Sequence, residues 1–219
     1  MSARERLRDN DIRLVSALAD LRPDEWAQPS LCDAWTNHEV LAHLVIGYRT
    51  GIGTFAATLV RHQGSFDRAN TALAKTLAQQ AGPADLLDEL SRLIDRPRGL
   101  GRIFPPQLLL GDHVTHELDI LFPLGRPPGT RRDVLAAVLN TQVTVPNPFV
   151  PAFANSRRIR LRATDIAWTH GDAGPVVQGC AADLVSVLGN RPHALPRLTG
   201  DGVDVLAARV SPRPSRTAG

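Results

Sequence analysis

The amino-acid sequence predicts an α+β protein, with a helical bundle over residues 1–142, a small α/β domain over 143–212 and a disordered tail over 213–219. Two changes of pattern predict this division. Up to about residue 142, apolar side chains recur at three-, four- and seven-residue spacings, the period of helices that bury one face. From residue 158 the pattern becomes alternation, with Ile159 and Leu161 on one side and Arg158, Arg160 and Arg162 on the other, as in a half-buried strand. The tail is rich in proline, arginine and serine and has too little apolar surface to bury.

Each element has a local reason. Leu7, Leu14, Leu18 and Leu21, with Val15, line one face of a first helix, which Arg22-Pro23 stops. Residues 26–35 form a loop bracketed by Trp26 and Trp35. Thr36-Asn37-His38-Glu39 has the T-x-x-E form in which hydroxyl and carboxylate each satisfy an open amide, so a second helix begins at Thr36. That helix carries His43, and Gly47, Thr50, Gly51 and Thr54 continue along its face. Glycine inside a helix costs about 1 kcal/mol relative to alanine, so these small residues point either to close helix approach or to room for a ligand above His43. Further helices are expected over 67–80, from Gly82-Pro83 through Ile94, from Pro105-Pro106 to before Gly125, and from Arg131 to about Gln142. Beyond them, 158–168 reads as strand and Gly171-Asp172-Ala173-Gly174 as a turn before Val176-Val177. Ala181–Leu188 reads as a short helix and Val203–Val210 as a final helix or strand.

Composition narrows the function classes. No apolar run approaches the ~18 residues of a membrane span, and the opening M-S-A-R-E-R-L-R-D-N-D lacks the apolar stretch of a secretory signal. A cytoplasmic protein with no membrane partner is expected. The two cysteines, Cys32 and Cys180, stand in unrelated contexts, which excludes a Cys-rich zinc site; each reads as a small buried residue. The pI of 9.5 accompanies a net charge of only +3. Lys75 is the single lysine among 25 basic residues, a bias that suggests a GC-rich genome rather than a polyanionic ligand. The arginines of 157–162 fit a solvated strand face, and no recognition helix or stacking motif accompanies them, so no nucleic-acid partner is expected.

The densest chemistry lies at 111–120, G-D-H-V-T-H-E-L-D-I. On a helix, Asp112, His116 and Asp119 fall within an arc of roughly 60°, flanked by Leu108, Leu109 and Ile120. Leu110, Val114, Leu118 and Leu121 make a broader apolar face, and His113 and Glu117 occupy the strip between, which reads as solvated. A half-buried acid–histidine pair needs partners, because unpaired polar burial costs several kcal/mol. A bound cation is one such partner and a hydrogen-bond network is another; spacing alone does not choose.

A resemblance does. W-x-x-P-S-L-C-D-A-W-T-x-x-E-V-L-A-H-L-V at 26–45 resembles the N-terminal signature of the mycothiol-dependent maleylpyruvate isomerase family, DinB-like proteins built on a metal-binding four-helix bundle. The 111–120 stretch is similar to that family's acid-x-x-x-His helix. Residues 163–171 and 175–179 with Gly200-Asp201-Gly202 look like its small C-terminal domain. The resemblance implies a DinB-like four-helix bundle with metal ligands at His43, Asp112 and His116, the founding isomerase having glutamate where this chain has Asp112. It places Asp119 behind the ligands or in helix packing, gives His113 no role, and puts Trp35 in the bundle wall. It also implies a divalent metal, zinc by preference, and mycothiol as co-substrate.

Two imidazoles and a carboxylate suit zinc at ~2.0–2.2 Å with positions left open, and a thiol at such a centre loses its proton readily. The expected activity is therefore thiol-dependent isomerisation or S-transfer on a small electrophile, by a monomer or homodimer. Two rivals stand beside it: a hydrolase using metal-bound hydroxide, which would need no thiol, and a non-enzymatic metal- or ligand-binding protein, which would turn nothing over.

Overall fold

The computed structural model describes residues 1–33, 35–147 and 149–210; the tail expected to be disordered lies outside them. The chain forms two compact units, one over Met1–Thr130 and one from Arg131 onward. Among the described residues no helix is long and apolar enough to cross a membrane.

The first unit is helical: α1 (Ala3–Ala19), the single turn α2 (Pro23–Trp26), α3 (Asn37–Arg49), α4 (Ile52–Arg61), α5 (Phe66–Gln80), α6 (Pro83–Asp95) and α7 (Pro106–Leu121). Helices α1, α3, α6 and α7 make the four-helix bundle, α1 and α3 each packing against both α6 and α7, while α5 lies against α3. Leu14, Leu18, Leu41, Leu44, Leu86, Leu90, Leu118 and Ile120 are fully buried between them, each worth about 2 kcal/mol of transfer from water. The start of α3 is set as its sequence dictates. The Thr36 side chain accepts from the Glu39 amide at 3.3 Å, and the Glu39 carboxylate accepts from the Thr36 amide at 2.8 Å.

The end of α3 differs from expectation. The helix stops at Arg49 instead of running on through Thr54, and α4 starts afresh at Ile52. The cause is a loop from elsewhere in the chain. The Arg98 amide donates to the Tyr48 carbonyl at 2.8 Å and the Leu100 amide to the Thr50 carbonyl at 3.0 Å, so the last carbonyls of α3 are satisfied from outside. Gly99, at φ +47°, allows the approach, because a Cβ there would lie 2.0 Å from the Thr50 oxygen.

A second correction concerns His113 and Glu117, which read as solvated. Both are fully buried, because the strip they occupy faces α1 and the loop at Thr130. The imidazole of His113 donates from Nδ1 to Asp11 of α1 at 2.8 Å, and the Tyr48 hydroxyl donates to the same carboxylate. Glu117 accepts from Arg13 at 2.8 Å and from Thr130 at 2.7 Å. Burial opposes a charge on His113, but the Asp11 carboxylate outweighs it and raises the imidazole above its ordinary value. Burial and the same carboxylate raise Tyr48, which stays a neutral phenol.

The second unit contains α8 (Arg132–Thr144), the turn α9 (Ala152–Asn155), β1 (Arg160–Ala163), β2 (Thr169–His170), β3 (Val176–Gly179), α10 (Ala181–Leu188) and α11 (Val203–Val210). The sheet runs β2-β1-β3; β1 is antiparallel to β2, with Leu161 opposite His170, and parallel to β3, with Leu161 opposite Val177. Ile159, Leu161 and Val177 are buried, as are Leu184 and Leu188 of α10, which packs against α8. The arginines at 158, 160 and 162 are exposed, as alternation requires, and so is Arg157 before the strand. The strand is shorter than the 158–168 expected, because the chain leaves the sheet after Ala163. Asp165 then accepts from the Ala181 amide at 2.8 Å, capping α10 instead of extending β1.

The His113–Asp11 pair generates the first prediction. His113→Ala should destabilise the helical unit by about 3–5 kcal/mol, because it strands a buried carboxylate, and Tyr48→Phe should cost about 1–2 kcal/mol. The contribution of His113 is fully present below its unfolded pKa of about 6.5 and is lost as pH rises through its raised folded value. Denaturant unfolding followed by circular dichroism from pH 6 to 9 reads both effects; equal stability of wild type and His113→Ala would refute the pairing.

Candidate metal centre

Helix α3 presents His43, and α7 presents Asp112 and His116 one turn apart. The structure brings the three together, with ligand atoms all within 4.8 Å of one another. His43 Nε2 lies 3.4 Å from one Asp112 oxygen and His116 Nε2 lies 3.4 Å from the other. The rings meet edge to face, with centroids 4.6 Å apart. Both imidazoles are buried, whereas the Asp112 side chain is 37% exposed, so the carboxylate stands at the solvent edge.

What holds the rings is on their far side. Asn70 of α5 sits 3.0 Å from His43 Nδ1 through its side-chain oxygen. Asp119, fully buried, accepts from His116 Nδ1 at 3.0 Å. These contacts place a proton on Nδ1 of each ring and aim each Nε2 at Asp112. Metal-bound histidines are held in the same way, with the second nitrogen anchored on a carbonyl or carboxylate. Buried His43 Nε2 makes no hydrogen bond among the described residues, although it points into a polar cluster. Two imidazole nitrogens, one of them unsatisfied, and a carboxylate at the open edge fit a divalent cation with positions left over.

The loop before α3 forms one wall. Its Leu31 amide donates to the Asp119 carbonyl at 2.9 Å, and the Ser30 hydroxyl donates to the Trp35 carbonyl at 2.9 Å. This brings the Trp35 ring within 5.3 Å of His43 and 6.3 Å of His116, over the site as well as in the bundle wall. Open space lies beside the cluster: among the described residues, a Cβ added at Gly47 or Gly111 would meet nothing within 4 Å. Gly47 is one turn beyond His43, and Gly111 precedes Asp112.

Electrostatics follow from this packing. Burial opposes ionisation of Asp112, but the flanking His116 and His43 imidazoles override it and hold the carboxyl well below its ordinary range. Burial likewise opposes a charge on His116, and Asp112 foremost, with Cys32 and Asp119, raises it well above the ordinary histidine value. Without a cation the cluster is therefore an ion pair, its proton lying where a metal would bind.

Asn70 and Cys32 are functional neighbours that sequence reasoning missed. Nothing in the spacing of α5 singles out Asn70, which reaches His43 only through tertiary packing. Cys32 read as a small buried residue, yet its thiol donates to Asp119 at 3.0 Å. His113 and Glu117, the other i,i+4 pair of α7, take no part, being paired with Asp11 and with Arg13 and Thr130.

Residues 7–113 match the family described as Mycothiol maleylpyruvate isomerase N-terminal domain. The match spans just under half of the chain and is a likeness of the helical unit to that domain. The matched span takes in His43 and Asp112 and ends three residues before His116. A likeness of fold extends over the whole chain. The crystal structure of the mycothiol-dependent maleylpyruvate isomerase superposes with a TM-score of 0.57 at 15% identity, covering 92% of this chain and 93% of that one. A histidine-to-alanine mutant of that isomerase gives a TM-score of 0.54 at the same identity and coverage. These likenesses show the shared fold. No curated protein matches the chain.

The ion pair gives the second prediction. In metal-free protein, His116 should stay protonated well above pH 6.5, and Asp112→Asn, which removes the main group raising it, should lower its pKa. Histidine proton resonances followed against pH measure this, and an unchanged His116 titration in Asp112→Asn would contradict the assignment. The stability that this charged histidine contributes is fully present below its unfolded pKa and is lost as pH rises through the raised folded value. Uptake of a divalent cation, which must displace the same proton, should strengthen across that window.

Proposed function

We propose that the protein is a metal-dependent enzyme that uses mycothiol as co-substrate to isomerise a small electrophilic substrate about a conjugated double bond. The observation that carries this reading is the convergence of His43, Asp112 and His116, with each imidazole anchored through Nδ1 and aimed through Nε2. The match of residues 7–113 to the mycothiol maleylpyruvate isomerase N-terminal domain supports the thiol and the reaction class.

In this reading His43, Asp112 and His116 hold the cation, zinc by the chemistry of a two-imidazole, one-carboxylate set. When bound, zinc supplies Lewis acidity that lowers the pKa of a thiol placed at it. The chain's own residues do the rest. One carboxylate against a divalent charge leaves the site with a net positive charge, which favours an anionic sulfur over a neutral one. Asn70 and Asp119 fix the rings in advance, so little reorganisation accompanies binding. The Trp35 ring covers the two imidazoles and limits water there, which strengthens each charge interaction. Gly47 and Gly111 leave space beside the ligands for the thiol and its acceptor. The reaction class is addition across, rotation about and elimination from one double bond, with no net change of atoms.

Wild-type protein should bind one equivalent of zinc and isomerise a cis-configured unsaturated keto acid only when mycothiol is present. His43→Ala and His116→Ala should each lose stoichiometric metal and at least about 100-fold in activity while keeping their helical circular dichroism. Asn70→Leu should keep its fold and weaken metal binding about 10–100-fold. Metal content by mass spectrometry, with turnover measured with and without thiol, provides the check. Turnover that needs metal but no thiol would establish hydrolysis instead, and thiol retained in the product would establish S-transfer.

A further inference from the structure

His116 has a second cluster behind it. Its Nδ1 lies 3.0 Å from Asp119 Oδ2, Cys32 Sγ lies 3.0 Å from the same oxygen, and Sγ and Nδ1 are 3.6 Å apart. The three donors come from the loop before α3 and from one turn of α7. Ligand atoms at ~2.0–2.3 Å on one tetrahedral ion are spaced by about 3.3–3.8 Å, so this triangle needs only slight opening to close on a cation. Asp119 is fully buried, His116 is buried and Cys32 is half-buried, which leaves the sulfur side as the way in.

Charge and softness separate this triangle from the front set. Thiolate plus carboxylate carries two negative charges and neutralises a divalent ion completely, whereas Asp112 alone leaves the front set positive. Sulfur also selects thiophilic ions over hard ones. We propose that Cys32, Asp119 and His116 Nδ1 form a second metal seat, selective for strongly thiophilic divalent cations such as cadmium over zinc, whose occupation withdraws His116 from the front set. The proton account requires that exclusion. Entry of the ion into metal-free protein releases two protons to solvent, one from the Cys32 thiol and one from Nδ1 of the protonated His116, whose Nε2 keeps its own. A neutral imidazole has one lone pair in the ring plane, so His116 serves the back seat or the front set, one at a time. The seat itself stands independently of the thiol chemistry proposed above.

The test is a cadmium titration of the metal-free full-length protein, followed by the ultraviolet thiolate-to-cadmium absorption. Cys180 is the other cysteine of the chain, so Cys180→Ser serves as the background. The band should saturate at one equivalent in Cys180→Ser and should survive His43→Ala, which touches only the front set. It should vanish in Cys32→Ser and need at least tenfold more cadmium in Asp119→Asn, with circular dichroism confirming that both fold. In zinc-loaded protein, cadmium should release zinc to a chromogenic chelator at concentrations at least tenfold lower than in Cys32→Ser. No band in Cys180→Ser, or a band that persists in Cys32→Ser, overturns the seat. A band whose filling releases no more zinc than in Cys32→Ser overturns the exclusion. Protein that takes up no zinc would instead refute the front set, leaving the band to decide the back seat.

Discussion

The fold turns on the need to partner the polar residues of one buried helix. From His113 to Leu121, every residue of α7 is buried, and four of these nine, His113, His116, Glu117 and Asp119, are ionisable. Each would cost several kcal/mol alone, and an i,i+3 or i,i+4 contact satisfies only the His116–Asp119 pair. The other partners come from every side: Asp11 and Arg13 from α1, Thr130 from the loop beyond α7, Cys32 from the loop before α3. Such a helix has one acceptable orientation, because rotating it by one residue would present carboxylates to leucines. Apolar burial provides the bulk of the stabilisation, and the polar partners set the register at which it occurs.

This also explains which features were legible in the sequence. The capping box at Thr36 and Glu39, the leucine spacing of α1 and the alternation at 159–162 are local, and each appears in the structure where local chemistry put it. The end of α3 was not legible, because its last carbonyls are satisfied by a loop some fifty residues downstream, which no propensity at Thr50 encodes. His113 and Glu117 misled for a related reason. A helical wheel sees charge between two apolar regions and reads water, but the facing surface of α1 carries Asp11 and Arg13 at those points. Their role was visible only once two helices could be read together. Asn70 is the extreme case, an unremarkable polar residue of α5 that becomes significant through one tertiary contact.

The two histidines of the site are held differently, and the difference has consequences. His43 is anchored by the neutral amide of Asn70, which orients the ring and adds no charge. His116 is anchored by the carboxylate of Asp119, which in turn receives the Cys32 thiol. A carboxylate behind an imidazole makes its other nitrogen more basic and a stronger donor to a cation. The site therefore pairs one strongly donating ring with one that is only oriented. It leaves His43 as the imidazole whose removal would perturb the bundle least, since its buried Nε2 makes no hydrogen bond among the described residues.

Asp112 completes the arrangement through its short reach. Its two oxygens each lie 3.4 Å from a different imidazole, one on α3 and one on its own helix. A carboxylate centred between two rings serves both states of the site. Without a cation it neutralises the protonated His116, and in the proposed metal site it would supply the anionic ligand. A side chain one methylene longer, such as glutamate, would carry its carboxylate further from the α7 backbone. Gly111 next to Asp112 and Gly47 on the facing helix leave open space beside the shorter acid. Under the proposed function, the space that Asp112 does not fill would be available to the thiol and its substrate.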